Sequence, residues 1–204
     1  GIVLAVITFW LFANSLINVI PNLQTSFGSY LSTISIAVSL TALFCGMFVV
    51  GAGSLADYFG RVRLTIIGLW LNIFGSLLII VSDYIPLLLM GRAIQGLSAA
   101  LIMPATLSLI KAYYHGDKRQ RALSLWSIGS WGGSGFASLF GGMIATFLSW
   151  RWIFVFSIIV PLIAVLLIKG TPESKNRHAS SRRFDIVGLI LLVVMMLSLN
   201  IMIT

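Results

Sequence analysis

The chain has 204 residues, of which 59% are hydrophobic and only 9% charged, and its mean hydropathy is +1.06. An ordinary soluble domain is about a quarter charged; the hydropathy excludes a disordered chain, and the single cysteine, Cys45, excludes a disulfide scaffold. Thirteen basic against five acidic residues leave a net charge of +8, and with so little polar surface this excess reads as loop charge facing the lipid bilayer, with no nucleic-acid partner.

A membrane-crossing helix needs roughly 20 mostly apolar residues. Six such runs follow one another, at about 1–20, 33–55, 64–81, 86–110, 122–147 and 152–168, and a seventh runs from Ile186 to Thr204. The predicted architecture is an all-α polytopic membrane protein. Residues 1–168 form a six-helix bundle, 169–185 a basic linker and 186–204 a seventh helix. The first and last three helices of the bundle are candidates for inverted repeats. Gly1 and Thr204 are expected to be the ends of a piece of a longer protein.

Orientation follows from the loop cations. Arg61 and Arg63 follow the second span. Lys111, Lys118, Arg119 and Arg121 follow the fourth, and Lys169, Lys175, Arg177, Arg182 and Arg183 follow the sixth. These eleven of the thirteen cations share one side, which the positive-inside rule makes cytoplasmic, together with the N-terminus.

The first span carries Trp10, Asn14 and Asn18 at a spacing of four, with Phe9 and Phe12 nearby. Rings beside uncharged polar groups suit flat, bulky solutes; packing or an interface belt is an equal reading for Trp10. In the turn after the second span, Gly53 to Arg63, Asp57 stands near a helix C-terminus and Arg61 and Arg63 near an N-terminus. Both signs oppose the local helix dipole. Either these charges engage each other or a neighbouring helix end, or Asp57 caps the third helix and Gly60 merely permits a tight turn.

Asp83 and Pro86 read as cap and first-turn proline of the fourth span. Within it, Arg92 is the one charge well inside a span, about 9 Å past Pro86. With Gln95 three residues on, it is expected to face a central cavity. The alternative is a structural arginine held by backbone carbonyls. The fifth span carries small residues at every fourth position, Gly129, Gly133, Ala137, Gly141 and Ala145, beside a second row of Ser130, Ser134, Ser138 and Gly142. Such stripes are packing seams. Trp150 and Trp152 bracket Arg151 and read as interface anchors.

Several of these segments resemble the major facilitator superfamily. Gly53, Leu55, Ala56, Asp57, Gly60 and Arg61 resemble its signature between the second and third helices. Leu87 to Ile110, with Arg92, Gln95 and Gly96, resembles its fourth helix, and Ser138 to Pro161 its antiporter fifth helix and the following Trp-Arg-Trp-Ile-Phe. Phe184 to Leu192 is similar to the start of helix seven in the fourteen-helix drug:proton antiporters. The resemblance implies a transporter rather than an enzyme. It implies proton-driven export of hydrophobic, often cationic drugs, such as quinolones and dyes, by alternating access in a bacterial plasma membrane. No cofactor beyond the proton gradient is implied, and a monomer is expected.

By the same resemblance, Gly53, Asp57, Gly60 and Arg61 form a conformational switch, and Arg92, Gln95, Trp10, Asn14 and Asn18 serve the cavity or the coupling. The stripe of Gly129, Gly133, Ala137, Gly141 and Gly142 meets a helix of the second half. Two departures stand out: no acid precedes Asp57, where relatives often place one in the first helix, and Ala137-Ser138 stands where Gly-Pro often precedes the double glycine. The main proton carrier is therefore expected beyond Thr204.

Two rival functions fit the same residues. One is a facilitator transporter of another solute, an importer included. The other is an intramembrane serine protease, because Gly132-Gly133-Ser134-Gly135 matches a Gly-x-Ser-Gly pattern. That chemistry needs a histidine base beside Ser134, and the only histidines, His115 and His178, stand in loops. No metal motif and no P-loop occurs.

Overall fold

The structure, a computed structural model, describes residues 1–28, 31–175 and 186–203; at positions 12–14, 18, 31, 138, 145, 186 and 199–203 it describes the backbone alone. The described elements are helical. They run α1 (Ile2–Ser15), a 3-10 turn (Leu16–Val19), α2 (Ile20–Phe27), α3 (Leu31–Phe59), α4 (Arg61–Ile80), α5 (Ile85–Tyr113) and α6 (Gly116–Ser127). A π-turn (Ile128–Gly132), α7 (Gly133–Phe147), α8 (Arg151–Ile168) and α9 (Ile186–Ile203) complete them. Among the described residues α3, α4, α5 and α8 are each long and apolar enough to cross a bilayer.

The helical run of the first predicted span changes to a 3-10 turn and continues past residue 20 as α2, and that of the fifth contains a π-turn. Pro21 lies in the first turn of α2; without an N–H it removes one helical hydrogen bond, and the chain tightens into the 3-10 turn just before it. In the fifth span the π-turn is Ile-Gly-Ser-Trp-Gly, where one extra residue per turn shifts which side chains face inward.

Helices pack without help from water here, so close approach decides what touches. Gly75 of α4 and Gly91 of α5 meet backbone to backbone. A Cβ on Gly75 would lie 2.9 Å from the Gly91 carbonyl oxygen, and one on Gly91 2.8 Å from that of Gly75. Lower on the same pair, Ser98 Oγ donates to the Gly68 carbonyl at 2.7 Å. Gly96 presses α5 against α3, its Cβ position 2.6 Å from the Thr41 carbonyl oxygen. Apolar clusters fill both ends of the bundle. Leu16, Leu23, Ile34, Ile79, Leu88, Ile153 and Phe154 occupy one, and Ala5, Val62, Leu69, Ile102, Leu109 and Ile168 the end that carries the loop cations.

Two sequence expectations are corrected at the end opposite the basic loops. Asp83 does not cap α5: the residue before that helix is Tyr84, which makes no side-chain cap bond, and Asp83 pairs with Arg151 at 3.5 Å instead. Trp150 is not an interface anchor. It is 3% exposed, packs on Phe27 and Phe154, and donates from Nε1 to Ser26 Oγ at 3.0 Å. Trp152 remains half exposed.

A matched pair of substitutions checks the glycine contact. Gly75→Ala is expected to cost about 1–3 kcal/mol by overpacking, lowering the thermal midpoint in detergent, whereas Gly46→Ala, with nothing within 4 Å of its Cβ, leaves it unchanged or raised. Equal midpoints would show that α4 and α5 separate without cost.

Candidate functional site

Arg92 sits on α5 where its side chain reaches α3 and the next turn of its own helix. Nε donates to the Ala37 carbonyl at 3.2 Å, and Nη1 donates to Gln95 Oε1 at 2.9 Å. The Arg92 carbonyl in turn accepts from Thr41 Oγ1 at 3.1 Å. Gln95 passes the chain on: Nε2 donates to Ser76 Oγ of α4 at 2.9 Å. Ser76 Oγ lies 3.0 Å from Ser157 Oγ of α8, and Asn72 Nδ2 donates to the Ser157 carbonyl at 2.9 Å. One hydrogen-bonded chain thus joins α3, α5, α4 and α8 inside an apolar bundle, with every member at most 5% exposed.

The Arg92–Gln95 contact is as the i+3 spacing suggests, but the expected direction is not. At 1% exposure Arg92 lies within the helix packing rather than on an open cavity wall. The large apolar groove, about 630 Å³ between α1 and α7, is lined by residues such as Ile7, Leu11, Gly133, Phe136 and Phe140, and by neither Arg92 nor Gln95. A buried cation is costly unless oxygens replace its water, and the Ala37 carbonyl and the Gln95 amide do this. Asn72, Ser76 and Ser157 were not singled out from the sequence. Their signal was a polar residue at the spacing of one helical turn in otherwise apolar spans.

Trp10 stacks on Trp131 of the π-turn, with centroids 6.1 Å apart and planes at 21°, and meets Phe9 edge-on. The side chains of Asn14 and Asn18 lie outside those described. Among the described residues Gly129, Gly133 and Gly141 pack on α1 of this same chain. Cβ atoms on Gly129 and Gly133 would lie 3.1 Å from Val3 Cγ1 and 3.2 Å from Trp10 Cβ, and one on Gly141 2.7 Å from the Ser15 carbonyl oxygen. Ser15 Oγ donates to the Ala137 carbonyl at 3.1 Å. Gly142 is off this seam, with nothing within 4 Å of its Cβ position.

At the basic end, Asp57 closes α3 and Arg61 opens α4. The two engage each other: Arg61 Nη2 and Nε donate to Asp57 Oδ1 at 2.8 and 3.0 Å. Arg61 Nη1 also reaches the Ser108 carbonyl of α5 at 3.3 Å, so the cation binds a helix carbonyl as well as the acid. Asp57 does not cap α4, whose preceding residue, Gly60, has no cap side chain. A Cβ on Gly53 would lie an ordinary 3.6 Å from Pro104 Cβ of α5. Glu173, from the segment after α8, joins this cluster, and the sequence carried no signal of it.

The protease geometry is absent among the described residues. His115 precedes α6, and Ser134 lies in α7 about 28 Å farther along the helical run at 1.5 Å per residue. His178 lies outside the described residues. No group of three or more metal-ligating side chains occurs among those described.

Comparison with known proteins gives a consistent family. The Major Facilitator Superfamily profile matches residues 2–204. Quinolone resistance protein NorB of Staphylococcus aureus strain Newman is 68% identical over 204 residues, which is all of this chain and 44% of that protein; NorB of strain MRSA252 matches to the same extent. The chain therefore spans less than half the length of these relatives. In fold it is similar to the proton:xylose symporter XylE bound to 6-bromo-6-deoxy-D-glucose, with a TM-score of 0.74 at 16% identity, over 94% of this chain and 48% of that one. It is also similar to a peptide transporter POT in complex with sulfate, with a TM-score of 0.73 at 17% identity, over 98% and 45%.

Removing the Arg92 fork leaves Gln95 Oε1 without its donor, which costs about 1–3 kcal/mol for a buried acceptor. Arg92→Leu in the full-length protein is expected to lower the detergent melting midpoint and the transport rate. Arg92→Lys should restore only part, because one ammonium cannot reproduce the planar fork. Wild-type values for both in Arg92→Leu would show that the network carries neither.

Proposed function

The chain belongs to the major facilitator superfamily and is part of a multi-pass membrane protein, and on that premise we propose that it is the N-terminal part of a proton-coupled drug exporter. The observation that carries this reading is the 68% identity, along the whole of this chain, to a quinolone resistance protein. In this reading residues 1–168 are the first six-helix bundle, 169–185 the linker and 186–204 the first extra helix of a fourteen-helix antiporter. The basic loops and the N-terminus face the cytoplasm of a bacterial plasma membrane. The substrates are hydrophobic, often cationic drugs and dyes. The protein works as a monomer and draws on the proton gradient without a cofactor.

The mechanism divides the site by place. Asp57 and Arg61, with Gly53 and Gly60, stabilise one end state at the cytoplasmic surface, since charges paired across a turn resist its opening. The Arg92 network keeps α3, α4, α5 and α8 together as one body while that body rocks. Trp10, with Asn14 and Asn18, contributes a face for flat solutes. The seam of Gly129, Gly133, Ala137 and Gly141 lets α1 and α7 move as a pair, so Gly141→Leu should separate them and stop export. The five acids, Asp57, Asp83, Asp117, Glu173 and Asp185, are outside the apolar stretches. A coupling carboxylate needs a partly desolvated site, which supports a main carrier outside these five acids.

The test is dye efflux from vesicles holding the full-length protein, with and without an imposed proton gradient. Export is expected to follow the gradient, and drug-induced proton release is expected to survive replacement of each of the five acids by its amide. Gradient-independent equilibration of the dye would sink the antiport reading, and loss of proton release in Asp57→Asn or Asp83→Asn with binding intact would move the carrier into this half.

A further inference from the structure

α4 starts at a turn that has nothing of its own to cap it. Gly60 offers no side chain, and the first turn, Arg61 to Leu64, holds two cations and no acid. A helix N-terminus presents unpaired N–H groups and a partial positive charge, so this turn is unfavourable twice over. The remedy comes from the segment after α8. Glu173 Oε1 accepts from the Val62 N–H at 2.9 Å, and Oε2 accepts from the Arg63 N–H at 3.0 Å. The Arg61 N–H donates to the Ser174 carbonyl at 3.1 Å, and Arg61 Nη1 donates to Ser174 Oγ at 3.3 Å. The first three N–H groups of α4 thus all end on Glu173 and Ser174.

The fit is specific. Gly60 has φ +119°, a backbone region that favours glycine, and a Cβ there would stand 2.6 Å from Glu173 Cδ. One glycine therefore serves both the turn and the approach of the carboxylate. The Tyr113 hydroxyl donates to the Pro172 carbonyl, tying the same segment to the end of α5. The ion pair between Arg63 and Glu173 is loose, at 4.0 Å with Arg63 mostly exposed, so the backbone bonds carry the contact.

We propose that Glu173 and Ser174 are positioning residues of the switch: they hold Arg61 where it pairs with Asp57, and so make the start of the linker a working part of the turn between α3 and α4. The inference rests on the alternating-access reading of the function.

The test uses the full-length protein with Cys45 and any further cysteine replaced by Ser and one reporter, Tyr114→Cys, at the basic end, read by the rate of thiol labelling beside dye export and equilibrium dye binding. Glu173→Gln keeps the shape of the side chain and loses its charge. It is expected to raise the labelling rate and slow export, each about fivefold, the scale of a lost cap, with dye affinity unchanged. Glu173→Asp should restore part of both. Gly60→Ala, which drives the carboxylate away, should reproduce the defect, and the double variant should be no worse than the more severe single one. If Gly60→Ala does not accumulate, Glu173→Gln decides alone. Wild-type labelling and export in Glu173→Gln overturn the proposal, as do additive defects in the double variant or a drop in dye affinity. A reference protein whose labelling ignores both dye and proton gradient fails the alternating-access reading itself, and the proposal with it.

Discussion

A guanidinium enclosed by apolar helices must find oxygens to replace water, and the arrangement of four helices follows from how Arg92 finds them. Its partners include a backbone carbonyl of α3 and the amide of Gln95. That amide engages Ser76 of α4, which meets Ser157 of α8. Each link satisfies one polar group by using another, so no member is replaceable alone without leaving a neighbour exposed to hydrocarbon. The close glycine contacts serve the same end. Gly75 against Gly91 and Gly96 against the Thr41 carbonyl bring the backbones near enough for these short side chains to meet.

α4 is also held at both tips by the flanks of α8. At the first residue of α8, Arg151 donates to the Ile80 carbonyl at 3.1 Å and the Ser82 carbonyl at 3.2 Å, at the negative end of α4. After α8, Glu173 accepts from the N–H groups at the positive end. Cation and anion each sit where the helix dipole favours them. With Asn72 and Ser76 bonded to Ser157 midway, α4 and α8 are joined at three levels. α1 meets α7 through small residues, and among the described bonds Ser15 Oγ donates to the Ala137 carbonyl. The bundle therefore combines one pair joined by polar bonds at three levels with another whose backbones approach closely at small residues.

The basic-end turn shows why opposed dipole signs are tolerated. Asp57 at a C-terminus and Arg61 at an N-terminus are each misplaced with respect to their own helix. Paired with each other, and with the Ser108 carbonyl and Glu173 nearby, they form a cluster in which every charge has a counterpart. Such a cluster is more sensitive to geometry than a surface ion pair, because separating it leaves two unfavourable helix ends as well as two charges.

What the sequence by itself determined is whatever repeats along the chain or lies within one helical turn. Apolar length marked the spans, cation counts separated the two ends, opposed dipole signs left Asp57 either engaging the arginines or capping a helix, and the i+3 spacing brought Gln95 to Arg92. Short motifs carried the family for the same reason. Only the tertiary structure decided what each side chain meets across a helix boundary. It turned Arg92 into the packing instead of a cavity and buried Trp150 against Phe27. It set the stripe of α7 on α1, and placed the 3-10 turn and the π-turn within the helical runs of the first and fifth spans. It also delivered Glu173 to N–H groups 110 and 111 residues away. Periodicity reports how a residue faces its own helix axis. Which helix stands opposite depends on close approach and on the accounting of buried polar groups, and both exist only once the helices are assembled.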